Sequence, residues 1–127
     1  MLRGFSTVSF FADDLTAARA WYTEVFGAEP YFERDGAYLE WRVGDYQHEF
    51  GVINARFAPH RPGLGAVLYW AVDDVEAVYR RLLDLGAAEH AAPTERGPGF
   101  VTASVVDPFG NVLGVMYNQH YLDVLAA

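Results

Sequence analysis

The sequence predicts an α+β fold made of two βαβββ modules, with a curved mixed sheet around a concave groove and the helices on its outer face. Two observations carry this. The pairs Asp13-Asp14 and Asp73-Asp74 lie 60 residues apart, each between an apolar run and a helical pattern. Each helical pattern then ends in Gly-Ala, at Gly27-Ala28 and Gly86-Ala87, before a series of short strand-like runs. A βαβββ unit alone leaves one sheet face uncovered, so two of them are expected to join.

In the first module, Thr7–Ala12 reads as a strand ended by Asp13-Asp14. A helix follows over Leu15–Phe26, with Asp14 as N-cap and Gly27 as its stop. Leu15, Ala18, Tyr22, Val25 and Phe26 recur at helical spacing and give it one packing face. Strands are expected over about Glu29–Arg34, Ala37–Val43 and Tyr46–Asn54, joined by two-residue turns at Asp35-Gly36 and Gly44-Asp45. A Pro/Gly-rich connector, 55–65, leads to the second module. There a strand over Ala66–Val72 precedes a helix whose apolar face is Val75, Val78, Tyr79, Leu82 and Leu85. Strands near Ala88–Thr94, Phe100–Val106 and Val112–Asn118 complete it, and the tail Gln119–Leu125 has room for one or two helical turns. The modules span about 5–54 and 66–118 of a single domain, 1–127. Capping accounts for Asp14 and Asp74 without any catalytic role.

Composition narrows the function classes. At 127 residues and 52% hydrophobic, the chain can bury one real core. A net charge of −8 opposes nucleic acid as a partner and steers weakly toward cationic or neutral ligands. No apolar run approaches a membrane span, and the opening residues Met1–Gly4 have no signal-peptide core. Cysteine is absent, which removes disulfides, thiolate metal sites and cysteine nucleophiles and suits the cytoplasm. No Ser–His–Asp arrangement, phosphate loop or dinucleotide fingerprint is present.

The hairpin around Gly44-Asp45 yields a site expectation. A two-residue turn pairs Val43 with Tyr46, which sets Trp41 against His48 and Leu39 against Phe50 on the apolar, helix-packing face. On the groove face, Arg42 then opposes Gln47 and Glu40 opposes Glu49. Directly opposed carboxylates sit roughly 5 Å apart at Cβ, so one of them should hold its proton more tightly. The pair is either an acid/base site or an anchor for a cation, or else a solvated pair eased by Arg42. By strand alternation Tyr38 and Gly51 share this face, as do Thr7, Ser9 and Phe11 of the first strand. In the second module Val67, Tyr69 and Ala71 share a face, with Phe100, Thr102 and Ser104 across from Met116 and Gly114. Hydroxyls, rings and a small residue make a groove suited to a small organic ligand, and equally resemble ordinary core.

The histidines stand apart from one another. His48 falls on the helix-packing face, His60 in the connector between Arg56 and Arg61, His90 near a strand start and His120 past the last strand. None has a partner at ligand spacing. The connector around His60 reads as a solvated loop or as a contact for an anionic group. The stretch Thr94–Gly99 has the composition of a mobile cover, although turn chemistry alone explains it.

Several of these residues carry a family resemblance. Asp107-Pro108-Phe109-Gly110-Asn111-Val112-Leu113 is similar to the Asp-Pro-x-Gly-Asn turn before the last strand of vicinal oxygen chelate proteins. The stretch from Val8 to Gly27, with Leu15, Ala18 and Trp21-Tyr22, resembles their first module, and Val67 to Val75 resembles the start of their second. The family includes glyoxalase I, extradiol dioxygenases, epimerases, fosfomycin-resistance enzymes and bleomycin-binding proteins that catalyse nothing. Fold alone therefore does not settle function. Family enzymes hold a divalent ion with His, Glu or Gln from the first and last strands of the modules, and the substrate chelates its open positions. The resemblance places those ligand positions at Thr7, Glu49, Val67 and Gly114, of which only Glu49 is a proper ligand type. The expectation is a metal-poor member of the family that needs no cofactor, binds a small organic molecule and forms a homodimer. A glyoxalase-type lyase or dioxygenase using Glu49 with Glu40, and a non-catalytic interaction domain, are the rivals.

Overall fold

The computed structural model describes residues 1, 3, 5–57 and 67–127. They fall in two compact units, Met1–Pro62 and Gly63–Ala127, each built as βαβββ. The first contains β1 (Thr7–Ala12), α1 (Leu15–Phe26), β2 (Phe32–Arg34), β3 (Tyr38–Val43) and β4 (His48–Asn54). The second contains β5 (Leu68–Ala71), α2 (Val75–Asp84), β6 (Ala88–Gly97), β7 (Phe100–Val106), β8 (Val112–Asn118) and a tail helix α3 (Gln119–Ala126). The two sheets share one topology, β1-β4-β3-β2 and β5-β8-β7-β6, in which the first and last strands of each module pair in parallel. The α+β duplication is as the sequence predicts.

Local chemistry sets the helix ends. The Asp14 carboxylate accepts from the Ala17 amide at 3.0 Å, and the Asp74 carboxylate from the Ala77 amide at 3.0 Å. These bonds satisfy amides that a helix start leaves without partners. At the other end of α1, the Gly27 amide closes on the Thr23 carbonyl at 2.8 Å. The buried stripe of α1, Ala18 and Tyr22, rests on Leu39, Trp41, Phe50 and Val52 of β3 and β4. Tyr22 lies 5.2 Å from Phe50 and 6.1 Å from Trp41 between ring centroids, and Phe26 lies 5.2 Å from Phe50. Aromatic pairs of this kind add about 0.5–1.5 kcal/mol each beyond the area they bury. In the second unit Val75, Tyr79 and Leu82 of α2 cover Ala103, Val105, Leu113 and Val115.

The turn that carried the family resemblance is closed by its own side chains. Asp107, 3% exposed, accepts at Oδ1 from the amides of Phe109 (3.0 Å) and Asn111 (2.8 Å). Its Oδ2 accepts from Asn111 Nδ2 at 2.9 Å. Gly110 takes φ +94°, a conformation that L side chains rarely adopt. The motif thus delivers the chain from β7 into β8, and its side chains serve the turn itself.

Several boundaries differ from expectation. β2 begins at Phe32 instead of Glu29, because Pro30 has no amide to give the ladder. The Asp35-Gly36 turn is a three-residue loop, since Arg34 pairs with Tyr38. β4 begins at His48, not Tyr46. β5 is shorter than Ala66–Val72 and the start of that range lies outside the described residues, as do His60, Arg61 and the connector beyond the 3₁₀ turn Ala55–Phe57. β6 runs on to Gly97, so Thr94–Gly97 is strand and not a cover; irregularities in its pairing with β7 absorb the extra residues. Among the described residues no helix is long and apolar enough to cross a membrane.

Replacing Asp107 by Ala strands the buried Asn111 amide and side chain and the part-buried Phe109 amide. Urea denaturation of Asp107→Ala is expected to show a loss of about 3 kcal/mol, in the range for charged, buried hydrogen bonds, whereas Asp14→Ala at the exposed α1 cap should cost about 1 kcal/mol.

Candidate functional site

In the first unit the sheet face away from α1 gathers Thr7, Ser9 and Phe11 of β1, Phe32 of β2, Tyr38, Glu40 and Arg42 of β3, and Glu49 and Gly51 of β4. The register of β3 and β4 departs from the sequence expectation. Their loop has four residues, Gly44–Gln47, and Val43 pairs with His48. Gln47 adopts φ +53°, and both its amide and its side-chain Nε2 donate to the Gly44 carbonyl, at 3.1 and 3.0 Å. The shift is two residues, an even number, so every side chain keeps its predicted face. Its partners change: Trp41 opposes Phe50, Leu39 opposes Val52, Arg42 opposes Glu49 and Glu40 opposes Gly51. His48 ends up exposed at the strand start rather than packed on the helix.

The expected face-to-face Glu40–Glu49 pair is therefore not formed, and the carboxylates are diagonal neighbours instead. Glu49 is bracketed: Oε1 takes the Arg42 guanidinium at 2.9 Å and Oε2 accepts from Thr7 Oγ1 at 2.9 Å. Glu40 is held by phenols. Tyr38 Oη donates to its Oε1 at 2.5 Å, and Tyr31 Oη donates to its Oε2. The Arg42 guanidinium also lies 5.0 Å over the Tyr31 ring. Burial, and secondarily the Glu49 charge, push the Glu40 carboxyl above its usual range, with Arg42 opposing. Burial followed by Glu49 likewise raises the Tyr38 phenol. A carboxyl with a raised pKa beside two phenols is suited to hold or move a proton. Sequence reasoning placed Tyr31 inside the expected strand Glu29–Arg34 and gave it no role; it lies instead in the irregular stretch before β2. Its amide bond to the Glu40 carbonyl, 3.0 Å, is what brings it to the carboxylate.

In the second unit Tyr69, Phe100, Thr102, Ser104, Gly114 and Met116 share the face away from α2, as predicted from alternation, and Val67 is exposed just before β5. Tyr69 opposes Gly114, Ala71 and Thr102 both flank Met116, and Ser104 opposes Gly114 from the other side. Gly114 is not the deep entry that its small size suggested. The Tyr69 ring lies on it so closely that a Cβ would overlap the ring, and in the first unit the Tyr38 ring occupies the equivalent space over Gly51. Thr102 and Ser104 are 7% and 2% exposed. Each is joined from β6 by a side chain the sequence did not single out for this face: Arg96 Nε donates to Thr102 Oγ1 at 3.0 Å, and His90 Nδ1 lies 2.8 Å from Ser104 Oγ. The pairing irregularities of β6, one of them between Glu89 and Ala91, put these residues beyond simple alternation.

The donor chemistry fits a family metal poorly. Of the positions assigned by resemblance, Val67 and Gly114 offer no side-chain donor. Thr7 and Glu49 do come together, but they bond to each other, and the second Glu49 oxygen is taken by a guanidinium that would repel an ion. Among the described residues no three His, Asp or Glu side chains converge. No catalytic step is assigned to a metal here.

Fold and face together define a class, a duplicated βαβββ protein whose sheets each present one polar, ring-lined surface. The family model described as "Glyoxalase/Bleomycin resistance protein/Dioxygenase superfamily" matches residues 4–115. The chain belongs to that superfamily. Among solved structures it is similar to a glyoxalase-related enzyme from Fulvimarina pelagi (19% identity, TM-score 0.76, 93% of this chain and 90% of that one). It is also similar to a lactoylglutathione lyase from Agrobacterium tumefaciens (20%, 0.70, 94% and 97%) and to a bleomycin resistance determinant encoded on the transposon Tn5 (24%, 0.65, 91% and 98%). Identities this low establish the fold alone. No curated protein matches.

The raised Glu40 carboxyl has a pH signature. A carboxyl that binds its proton more tightly when folded contributes stability below its unfolded pKa and loses that contribution as pH rises through the folded value. The stability of Glu40→Gln relative to the parent chain should therefore climb with pH across the carboxylate range, read by urea denaturation at a series of pH values. A flat difference would mean that Glu40 titrates alike in both states.

Proposed function

We propose that this chain is a metal-poor member of its superfamily that binds a small organic molecule on the polar sheet faces, and that binding rather than metal-assisted turnover is its activity. The observation that carries this is the state of Glu49. The one ligand-type residue at the family's metal positions has each oxygen already engaged, by Arg42 and by Thr7. A divalent ion would have to break a charge-assisted pair and recruit its remaining ligands from water. Ring-lined surfaces with a few fixed polar groups are what small organic ligands recognise. The net charge of −8 supports a partner other than nucleic acid, and the cysteine-free composition supports a cytoplasmic setting. Exposed apolar side chains such as Phe32, Tyr46, Val124 and Leu125 support a homodimer.

One observation favours a second reading. Glu40, with its raised carboxyl and its bonds to Tyr38 and Tyr31, has the make-up of a general acid in a glyoxalase-type enzyme that works without a metal.

Elemental mass spectrometry after incubation with Zn²⁺, Ni²⁺, Mn²⁺ or Fe²⁺ in turn is expected to find no stoichiometric ion on the untagged protein. A stoichiometric ion that disappears in Glu49→Ala would overturn the proposal. Thermal-shift screening of small organic molecules should then find saturable stabilisation, about 2.7 kcal/mol at a hundredfold excess over Kd.

A further inference from the structure

The two sheet faces differ in charge, and this difference bears on what they bind. The first unit's face holds Glu40 and Glu49. On the second unit's face the titratable side chains tied to the hydroxyl row are Arg96 and His90. Nearby acids point elsewhere: Glu89 accepts from Tyr79 of α2 at 3.2 Å, on the opposite side of the sheet, and Glu95 opposes Val101, out of phase with Thr102.

Arg19, Arg42 and Arg80 are matched to carboxylates, whereas Arg96 is pinned by a hydroxyl, which positions the guanidinium without neutralising it. Its Nε is used on Thr102, and its two terminal nitrogens make no bond among the described residues. His90 is placed in the same way. In the tautomer that accepts the Ser104 hydroxyl at Nδ1, the ring proton sits on Nε2, and an oxyanion ligand selects that tautomer because it needs a donor there. The two anchors are buried and lie two residues apart on β7, roughly 6.6 Å along the strand. Side chains anchored on same-face neighbours of one strand can address a single oxyanion, each through a donor of its own. A guanidinium whose Nε is already fixed loses little freedom on presenting its remaining edge to such a group.

Resting on the small-molecule reading above, we infer that Arg96 and His90, held by Thr102 and Ser104, form a site for the carboxylate or phosphate group of an anionic organic ligand. The local field opposes the net charge of the chain. The acidic balance therefore misleads about the ligand, and the pairing of β6 with β7 decides it.

The test is a two-dimensional NMR titration with sodium phosphate and, separately, sodium acetate, against sodium chloride at matched ionic strength. The site predicts saturable shifts at the Arg96 side-chain Nε–H, the His90 ring and the Thr102 and Ser104 amides with at least one oxyanion, and not with chloride. The arm that saturates at lower concentration tells phosphate from carboxylate. Arg96→Gln should raise the apparent Kd about tenfold or more, and Thr102→Val, which keeps the charge and releases the guanidinium, should raise it by a smaller factor. Shifts that follow ionic strength alone, or that persist unchanged in Arg96→Gln, would overturn the inference. A thermal-shift screen of neutral, cationic and carboxylate-bearing compounds separates it from the broader reading. Hits confined to neutral or cationic compounds and insensitive to Arg96→Gln would sink the oxyanion site and leave small-molecule binding standing. Phosphate or acetate shifts at Arg96 without any organic hit would sustain the site and remove the broader reading.

Discussion

The four-residue turn at Gly44–Gln47 is the constraint on which the first unit's site depends. A two-residue turn would set Glu40 against Glu49 and leave Arg42 facing a neutral glutamine. The longer turn, fixed by the left-handed Gln47 and its two bonds to the Gly44 carbonyl, moves the partner strand by two residues. Arg42 then meets Glu49 directly, Thr7 closes the other oxygen from the parallel strand, and Glu40 is left to the tyrosines. Strand partnership, more than residue type, decides that one carboxylate is quenched as a ligand while its half-buried diagonal neighbour holds its proton more tightly.

The second unit repeats the architecture with different contents. Where β1 places Ser9 opposite Gly51, β5 places Tyr69 opposite Gly114. Both glycines are roofed by a tyrosine ring, but the rings come from different strands: Tyr38 of β3 in one unit and Tyr69 of β5 in the other. Each glycine is therefore kept by close packing of a ring, and at Gly114 that ring fills a position where the resemblance would place a ligand. The duplicated scaffold has been furnished with carboxylates and phenols in one unit and with a hydroxyl-anchored guanidinium and imidazole in the other.

Much of this was legible in the residues. The helix limits at Asp14 and Gly27, the strands Thr7–Ala12, Phe100–Val106 and Val112–Asn118 and the choice of face for each groove side chain follow from capping chemistry and alternation, which act locally. The Asp107–Asn111 turn was legible as a resemblance, and its closed hydrogen bonds explain why it is recognisable. What could not be read depends on registers that alternation leaves free. An even slip preserves every face, so the pattern of Tyr38, Glu40 and Arg42 cannot tell a two-residue turn from a four-residue one. The irregular pairing of β6 hid Arg96 and His90 in the same way, because a bulge changes which residue looks onto the face without leaving a mark in the hydrophobic pattern.

Cross-strand NOEs between β3 and β4 test the decisive register most directly. Contacts between the Hα or amide protons of Arg42 and Glu49, and of Glu40 and Gly51, are predicted. Contacts between Glu40 and Glu49, and between Arg42 and Gln47, would contradict it, free the Glu49 carboxylate and reopen the metal site.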